Sequence, residues 1–121
     1  MTEDELQALL ARIVPPEDLH GLIVEEIDDQ DVRLRFPGGA EVFSQARLLA
    51  FIDAALRAAA LPAEVVIANL TVTFLRLSQA ADAIVLARVI RRDGGTIHAE
   101  AWLFSHAAMD AAAHATATLR S

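Results

Sequence analysis

The stretch from Ala46 to Ala60 constrains this chain more than any other. Only Arg47, Asp53 and Arg57 interrupt its run of apolar residues. A helix that is apolar nearly all round cannot lie on a surface, so other elements must enclose it. Ser44, a good N-cap residue, predicts its start, and Pro62 closes it off.

The flanking segments supply the enclosure. Thr2 through Ile13 reads as a helix: Thr2 and Glu5 form a capping-box pattern, and acids fill the first turn. Leu6, Leu9, Leu10 and Ile13 follow the spacing of one buried stripe, and Pro15-Pro16 ends it. Leu22 to Ile27 reads as a strand, with a turn over Asp28-Asp29-Gln30-Asp31. Val32, Leu34 and Phe36 then alternate with Arg33 and Arg35, the period of a half-buried strand. Pro37-Gly38-Gly39 breaks it. Beyond the apolar helix the predicted strands are Val65 to Leu77, Ala83 to Arg91, Thr96 to Phe104 and Ala111 to Leu119. Arg92-Asp93-Gly94-Gly95 makes a hairpin turn between the middle two. One sheet of about six strands around one apolar helix leaves helix surface uncovered, and a second copy is a natural lid.

Composition narrows the class. The chain has 121 residues, the size of one ordinary domain, and 55% of them are hydrophobic, which is too apolar for disorder. No run reaches the roughly 18 uninterrupted apolar residues of a membrane span. The acidic start, Met1-Thr2-Glu3-Asp4-Glu5, is unlike a signal peptide. A cytoplasmic location is the expectation, with no membrane partner. Absence of Cys excludes disulfides, thiolate catalysis and Cys-based metal sites. The formal net charge of −7 repels a phosphate backbone, so nucleic acid is not an expected partner.

Asp53 is the first candidate for chemistry. A carboxylate amid Phe51, Ile52, Ala54, Ala55 and Leu56 is costly unless it is paired or working. Arg57, one turn on, offers a standard i, i+4 partner. The residues alone leave the two readings even. His20, His98, His106 and His114 are scattered, with no metal-ligand spacing. No His stands at a triad-like spacing from Ser44, which reads as a cap and not a nucleophile.

Several segments, in order, resemble the hotdog-fold acyl-CoA thioesterases of the phenylacetate-pathway (PaaI-like) branch. Phe36-Pro37-Gly38-Gly39 followed by Val42-Phe43-Ser44-Gln45-Ala46 is similar to the glycine-bearing loop that leads into that family's central helix. Leu48-Leu49-Ala50-Phe51-Ile52-Asp53-Ala54-Ala55 resembles its apolar central helix with one acid. Asn69-Leu70-Thr71-Val72-Thr73-Phe74-Leu75-Arg76 resembles its strand ending in Phe-Leu-Arg, and Ala113 to Thr118 its closing strand. The likeness runs from about Leu22 to the C-terminus.

The resemblance implies an α+β hotdog fold, a central helix wrapped by an antiparallel sheet, over residues 17–121. An extra N-terminal helix over 1–16 completes a single domain. It implies hydrolysis of an acyl-CoA thioester, with no cofactor because coenzyme A is part of the substrate. Asp53 would be general base or nucleophile, and a first-turn amide at Ala46, beside Gln45, the oxyanion donor. Ala46 and Asp53 lie about 10 Å apart along one helix. One thioester carbon therefore needs Ala46 of one subunit and Asp53 of another, in a homodimer or dimer of dimers. Ser44 and Asn69 are candidates at the substrate, Asn69 equally for a structural hydrogen bond. Arg76, Arg91 and Arg92 are candidates for the coenzyme A phosphates, with solvated strand ends as the blander role. Many relatives open the helix with His-Gly-Gly or Ser-Gly-Pro where this chain has Ser44-Gln45-Ala46. That departure favours a rival, a hotdog protein that binds an acyl-CoA or acyl group without hydrolysing it. A hotdog dehydratase acting on acyl carrier protein would need a His near the central helix, and none lies between His20 and His98.

Overall fold

The computed structural model describes residues 1–14, 21–28, 31–38, 42–61, 63–76, 80–106 and 110–121. The expectations placed on Pro15-Pro16, His20, Asp29-Gln30, Gly39, Pro62 and Leu77 lie outside the described residues. Helix α1 spans Glu3–Ile13, strand β1 Ile23–Ile27 and β2 Asp31–Phe36. Helix α2 spans Gln45–Ala60, followed by β3 Val66–Phe74, β4 Ala83–Asp93, β5 Thr96–Ser105 and β6 Ala113–Arg120. The strands form one six-stranded sheet in the order β1-β2-β4-β5-β6-β3, every pair antiparallel.

Helix α2 packs on β2, β4 and β5. Phe51, Leu56 and Ala55 are fully buried on it, in one core with Leu34, Val85, Leu103 and Leu119 of the sheet. Phe51 stacks on Phe36 of β2 at 3.9 Å between centroids and meets the edge of Phe43 at 4.9 Å. These three rings join the end of β2 to the start of α2. Strand β6 carries Ala113, Ala115, Ala117 and Leu119 inward and polar or exposed residues between them. Period-two burial thus overrides the low strand propensity of Ala. The β4–β5 hairpin turns at Gly94, whose φ of +59° suits glycine.

Strand β3 is shorter than the sequence predicts. It ends at Phe74 because the Leu75 and Arg76 amides both turn to the Ala112 carbonyl, at 2.8 and 3.3 Å.

Helix α1 forms the full capping box: Glu5 N–H donates to Thr2 Oγ1, and Thr2 N–H to Glu5 Oε1. Its predicted apolar stripe divides in two. Leu6 and Leu10 are buried in the common core, whereas Leu9 is half-buried and Ile13 is 42% exposed. The helix packs beside the β1 edge of the sheet and also touches α2. Gln7 explains the docking. Its Nε2 donates to the Leu22 carbonyl at 2.7 Å and its Oε1 accepts from Val24 N–H at 2.8 Å. One side chain so satisfies two backbone groups at the start of β1. Among the described residues strand β3, at the other edge, is hydrogen-bonded to β6 alone.

Candidate functional site

Helix α2 is not enclosed on every side. Gln45, Ala46 and Leu49 are exposed, and Ala50, Asp53 and Arg57 are half-buried. At 100° per residue, Ala46, Leu49, Ala50, Asp53 and Arg57 form one stripe along the helix. Asp53 is the single acid on α2 and it lies on this stripe.

The carboxylate is paired. Arg57 Nε donates to Asp53 Oδ1 at 3.0 Å, and Arg57 Nη1 donates to the Val65 carbonyl at 2.9 Å. The side chains of Arg57 and Asp53 remain 36% and 42% exposed. Arg57 thereby ties the last turn of α2 to the segment that enters β3. A pair this open to water contributes little to stability, about 0–1 kcal/mol. The i, i+4 partner expected from the sequence is present, and the Asp53 side chain stays partly open to water beside it.

The other end of the stripe is the helix N-terminus. Ser44 caps it, its hydroxyl accepting from Arg47 N–H at 3.2 Å. The first intrahelical bond runs from Leu48 N–H to the Ser44 carbonyl at 3.0 Å. The amides of Gln45 and Ala46 precede it and point along the axis without an intrahelical acceptor. The first turn of α2 carries no acid, whereas that of α1 carries Glu3, Asp4 and Glu5. The positive end of the α2 dipole is therefore left uncompensated by its own side chains.

A buttress not foreseen from the sequence holds the approach to this helix. Asp82 Oδ1 accepts from Gly38 N–H at 2.8 Å, and its Oδ2 accepts from Arg35 Nε at 2.6 Å. The Gly38 amide first, then Arg35, hold the Asp82 carboxyl below the usual aspartate range. A folded value below the unfolded one stabilises the chain above the unfolded pKa. That contribution is lost as pH falls through the folded value. A Cβ on Gly38 would collide with the Ala81 backbone carbonyl, so this close approach requires glycine. The available signal was a lone Asp immediately before the apolar run of β4, together with a glycine after Pro37.

The remaining candidates do not gather around Asp53 within one chain. Asn69 is exposed opposite Thr118, which alternates with buried Ala117 and Leu119, so it belongs to the sheet face turned from α2. Arg76 bonds the Ala111 carbonyl and pairs with Asp110, at the Phe74–Ala113 end of the sheet. Arg91 and Arg92 lie at the opposite end, beside the β4–β5 turn, and Arg91 pairs with Asp93 at 2.7 Å. Arg33 and Arg35 are engaged by Glu25, and Arg35 also by Asp82. A single patch of these arginines is therefore not formed by one chain: strand β6 alone puts about 23 Å between the two ends.

The fold recurs in known structures. The chain superposes on thioesterase superfamily member 2 from Mus musculus with a TM-score of 0.87, at 10% identity, over 99% of this chain and 98% of that one. The PaaI protein of the phenylacetic acid degradation operon of E. coli gives 0.81 at 12% identity, over 98% and 95%. A mutant thioesterase from Pseudomonas aeruginosa gives 0.82 at 16% identity, over 99% and 93%. These likenesses establish the hotdog fold. No protein-family model matches the chain, and no curated protein sequence does.

Proposed function

We propose that this chain is a thioester hydrolase acting on an acyl-CoA, working as a two-fold dimer. The observation that carries the reading is the stripe on α2. On an otherwise buried helix, one open line joins the free first-turn amides at Gln45 and Ala46 to the only acid, Asp53. The three solved structures named above, each a thioesterase or PaaI by name, support it at the level of fold.

Two copies complete the site. Asp53 and Ala46 of one helix are about 10 Å apart and cannot serve one carbon. An antiparallel neighbouring α2 puts the Ala46 amide of one copy against Asp53 of the other. The unshared edge of β3 supplies a second contact, since a nine-residue strand with one free edge readily pairs with its own copy. Leu49, on the stripe between the two functional ends, packs across the two-fold.

In this site the thioester carbonyl oxygen accepts from the Ala46 amide of one subunit, with Gln45 alongside. Asp53 of the other takes a proton from water as the water oxygen bonds to the carbonyl carbon. The carbon–sulfur bond then breaks, the coenzyme A sulfur takes up a proton, and a carboxylic acid leaves. Direct attack by Asp53 through an anhydride gives the same products. Arg76, Arg91 and Arg92 are exposed enough to meet coenzyme A phosphates from either end of the sheet. A cytoplasmic setting suits such a substrate. Among the described residues no helix is long and apolar enough to cross a membrane.

A second reading has its own observation. The Asp53–Arg57 pair is compatible with a hotdog protein that binds an acyl-CoA without cleaving it. Purified protein offered a panel of acyl-CoA esters, with thiol release followed by a disulfide dye, decides between them. Turnover well above the uncatalysed rate is expected. Binding without thiol release leaves the non-catalytic reading.

A further inference from the structure

The half of the α1 stripe that the core does not bury borders a cavity. It has a volume of about 370 Å³ and lies between the C-terminal halves of α1 and α2. Leu9 and Ile13 form one wall, and Leu61, Ala63 and Val65 the other. Arg57 and Glu64 complete its lining, and they carry opposite charges.

Three features point to an occupant. Arg57 belongs both to this cavity and to the Asp53 pair, so part of the cavity wall lies one helical turn from the candidate base. One helical turn is about 5.4 Å, a distance that a few methylenes span. Among the described residues the lining is apolar apart from one cation and one anion, which cancel. A region without excess positive charge is poorly suited to the nucleotide phosphates of coenzyme A and well suited to hydrocarbon. Leu9 and Ile13 stand at i, i+4 on α1 and are left partly in water by the chain itself, so covering them is favourable.

We infer that this cavity receives the hydrocarbon of the acyl group, and that Leu9 and Ile13 of the N-terminal helix set the acyl length accepted. The inference rests on the thioester reading above and deepens it. In this arrangement the thioester lies at Asp53, the acyl tail runs past Arg57 between the two helices, and the coenzyme A arm leaves the other way. Helix α1 is then a specificity element as well as a cover for the β1 edge.

The test measures binding and not turnover, so it separates this inference from the hydrolase reading. S-alkyl-coenzyme A thioethers of increasing chain length, which cannot be hydrolysed, are titrated by calorimetry into the native protein and into Leu9→Trp and Ile13→Trp. Both positions are partly exposed, so each indole can be accommodated without entering the core. Circular dichroism and light scattering confirm fold and assembly state. Affinity for the native protein is expected to rise with chain length, by up to roughly fourfold per methylene, until the cavity is filled. Either tryptophan should flatten that rise and cost the longest thioether at least tenfold relative to the shortest.

A length-independent affinity in the native protein overturns the inference. So does a length trend that both tryptophans leave intact. Equal losses at every length would place the coenzyme A arm in the cavity, and a changed oligomeric state would give it to a second copy. Each of those results also overturns it. A length trend that responds to tryptophan in a protein with no turnover would refute the hydrolase reading and leave the acyl cavity standing.

Discussion

The two sides of helix α2 are built from the same kinds of residue and do different work. The inward side is a continuous apolar surface: Phe51, Ile52, Ala55 and Leu56 are all at most 1% exposed. The outward side is also rich in Ala and Leu, but it holds Asp53, Arg57 and the open N-terminal amides. Inside, each side chain has its neighbours within the chain. Outside, Leu49 at 36% exposure and Ala46 have none of comparable extent. The difference teaches that the chain completes its fold with one half of the helix and leaves the other half open, where the proposed site and two-fold contact would form. Substitutions on the two sides should therefore separate stability from activity.

The largest effect is expected inside. Phe51→Ala removes a ring stacked on Phe36 and edge-on to Phe43, and should cost about 3–5 kcal/mol of stability. Denaturant melts would show it, and activity should fall only with the folded fraction. If turnover per folded molecule collapsed while stability held, the two sides would not be distinct.

Outside, Asp53→Asn should lower kcat at least about a hundredfold, equivalent to roughly 2.7 kcal/mol of barrier, with little change in Tm. The half-exposed pair limits the stability loss to about 1 kcal/mol. Arg57→Ala breaks the same pair but keeps the carboxylate, so its loss in kcat should be far smaller. Near-normal turnover by Asp53→Asn would reduce this residue to a partner of Arg57 and end the mechanism proposed here. The fold would be unaffected.

The smallest expected effect concerns assembly. Leu49→Arg places a charge on the outward stripe where the two copies would meet. It should weaken the dimer about tenfold or more, which is roughly 1.4 kcal/mol, and leave the melting of the isolated subunit nearly unchanged. Light scattering across a dilution series reads this directly, and activity should fall in step with dimer. A native protein that remained a monomer and fully active at micromolar concentration would refute the shared site.

Much of this architecture was legible in the residues. The capping box at Thr2 and Glu5, the cap at Ser44 and the turn at Gly94 rest on local chemistry, and each formed where its residues stand. The alternation of Val32, Leu34 and Phe36 likewise placed β2. The strand order was not legible, because β3 pairs with β6, past β4 and β5 in the chain, and no local pattern records such a distant partner. Nor was the Asp82–Gly38–Arg35 buttress, whose members lie far apart in the chain. The α1 stripe shows the limit most clearly. Periodicity marks Leu6, Leu9, Leu10 and Ile13 as one apolar face, but only docking shows which of them the core can reach.

By itself, then, the sequence determined the secondary elements and the need to enclose Ala46 to Ala60, since both follow from spacing, capping and the cost of wetting apolar surface. It also marked Asp53 as a residue requiring a partner or a task. Tertiary structure alone decided that α2 keeps one open stripe, that Arg57 reaches both Asp53 and Val65, and that Leu9 and Ile13 line a cavity. It also set Arg76 apart from Arg91 and Arg92. Those outcomes depend on contacts between segments distant along the chain, and only the packed fold brings such segments together or holds them apart.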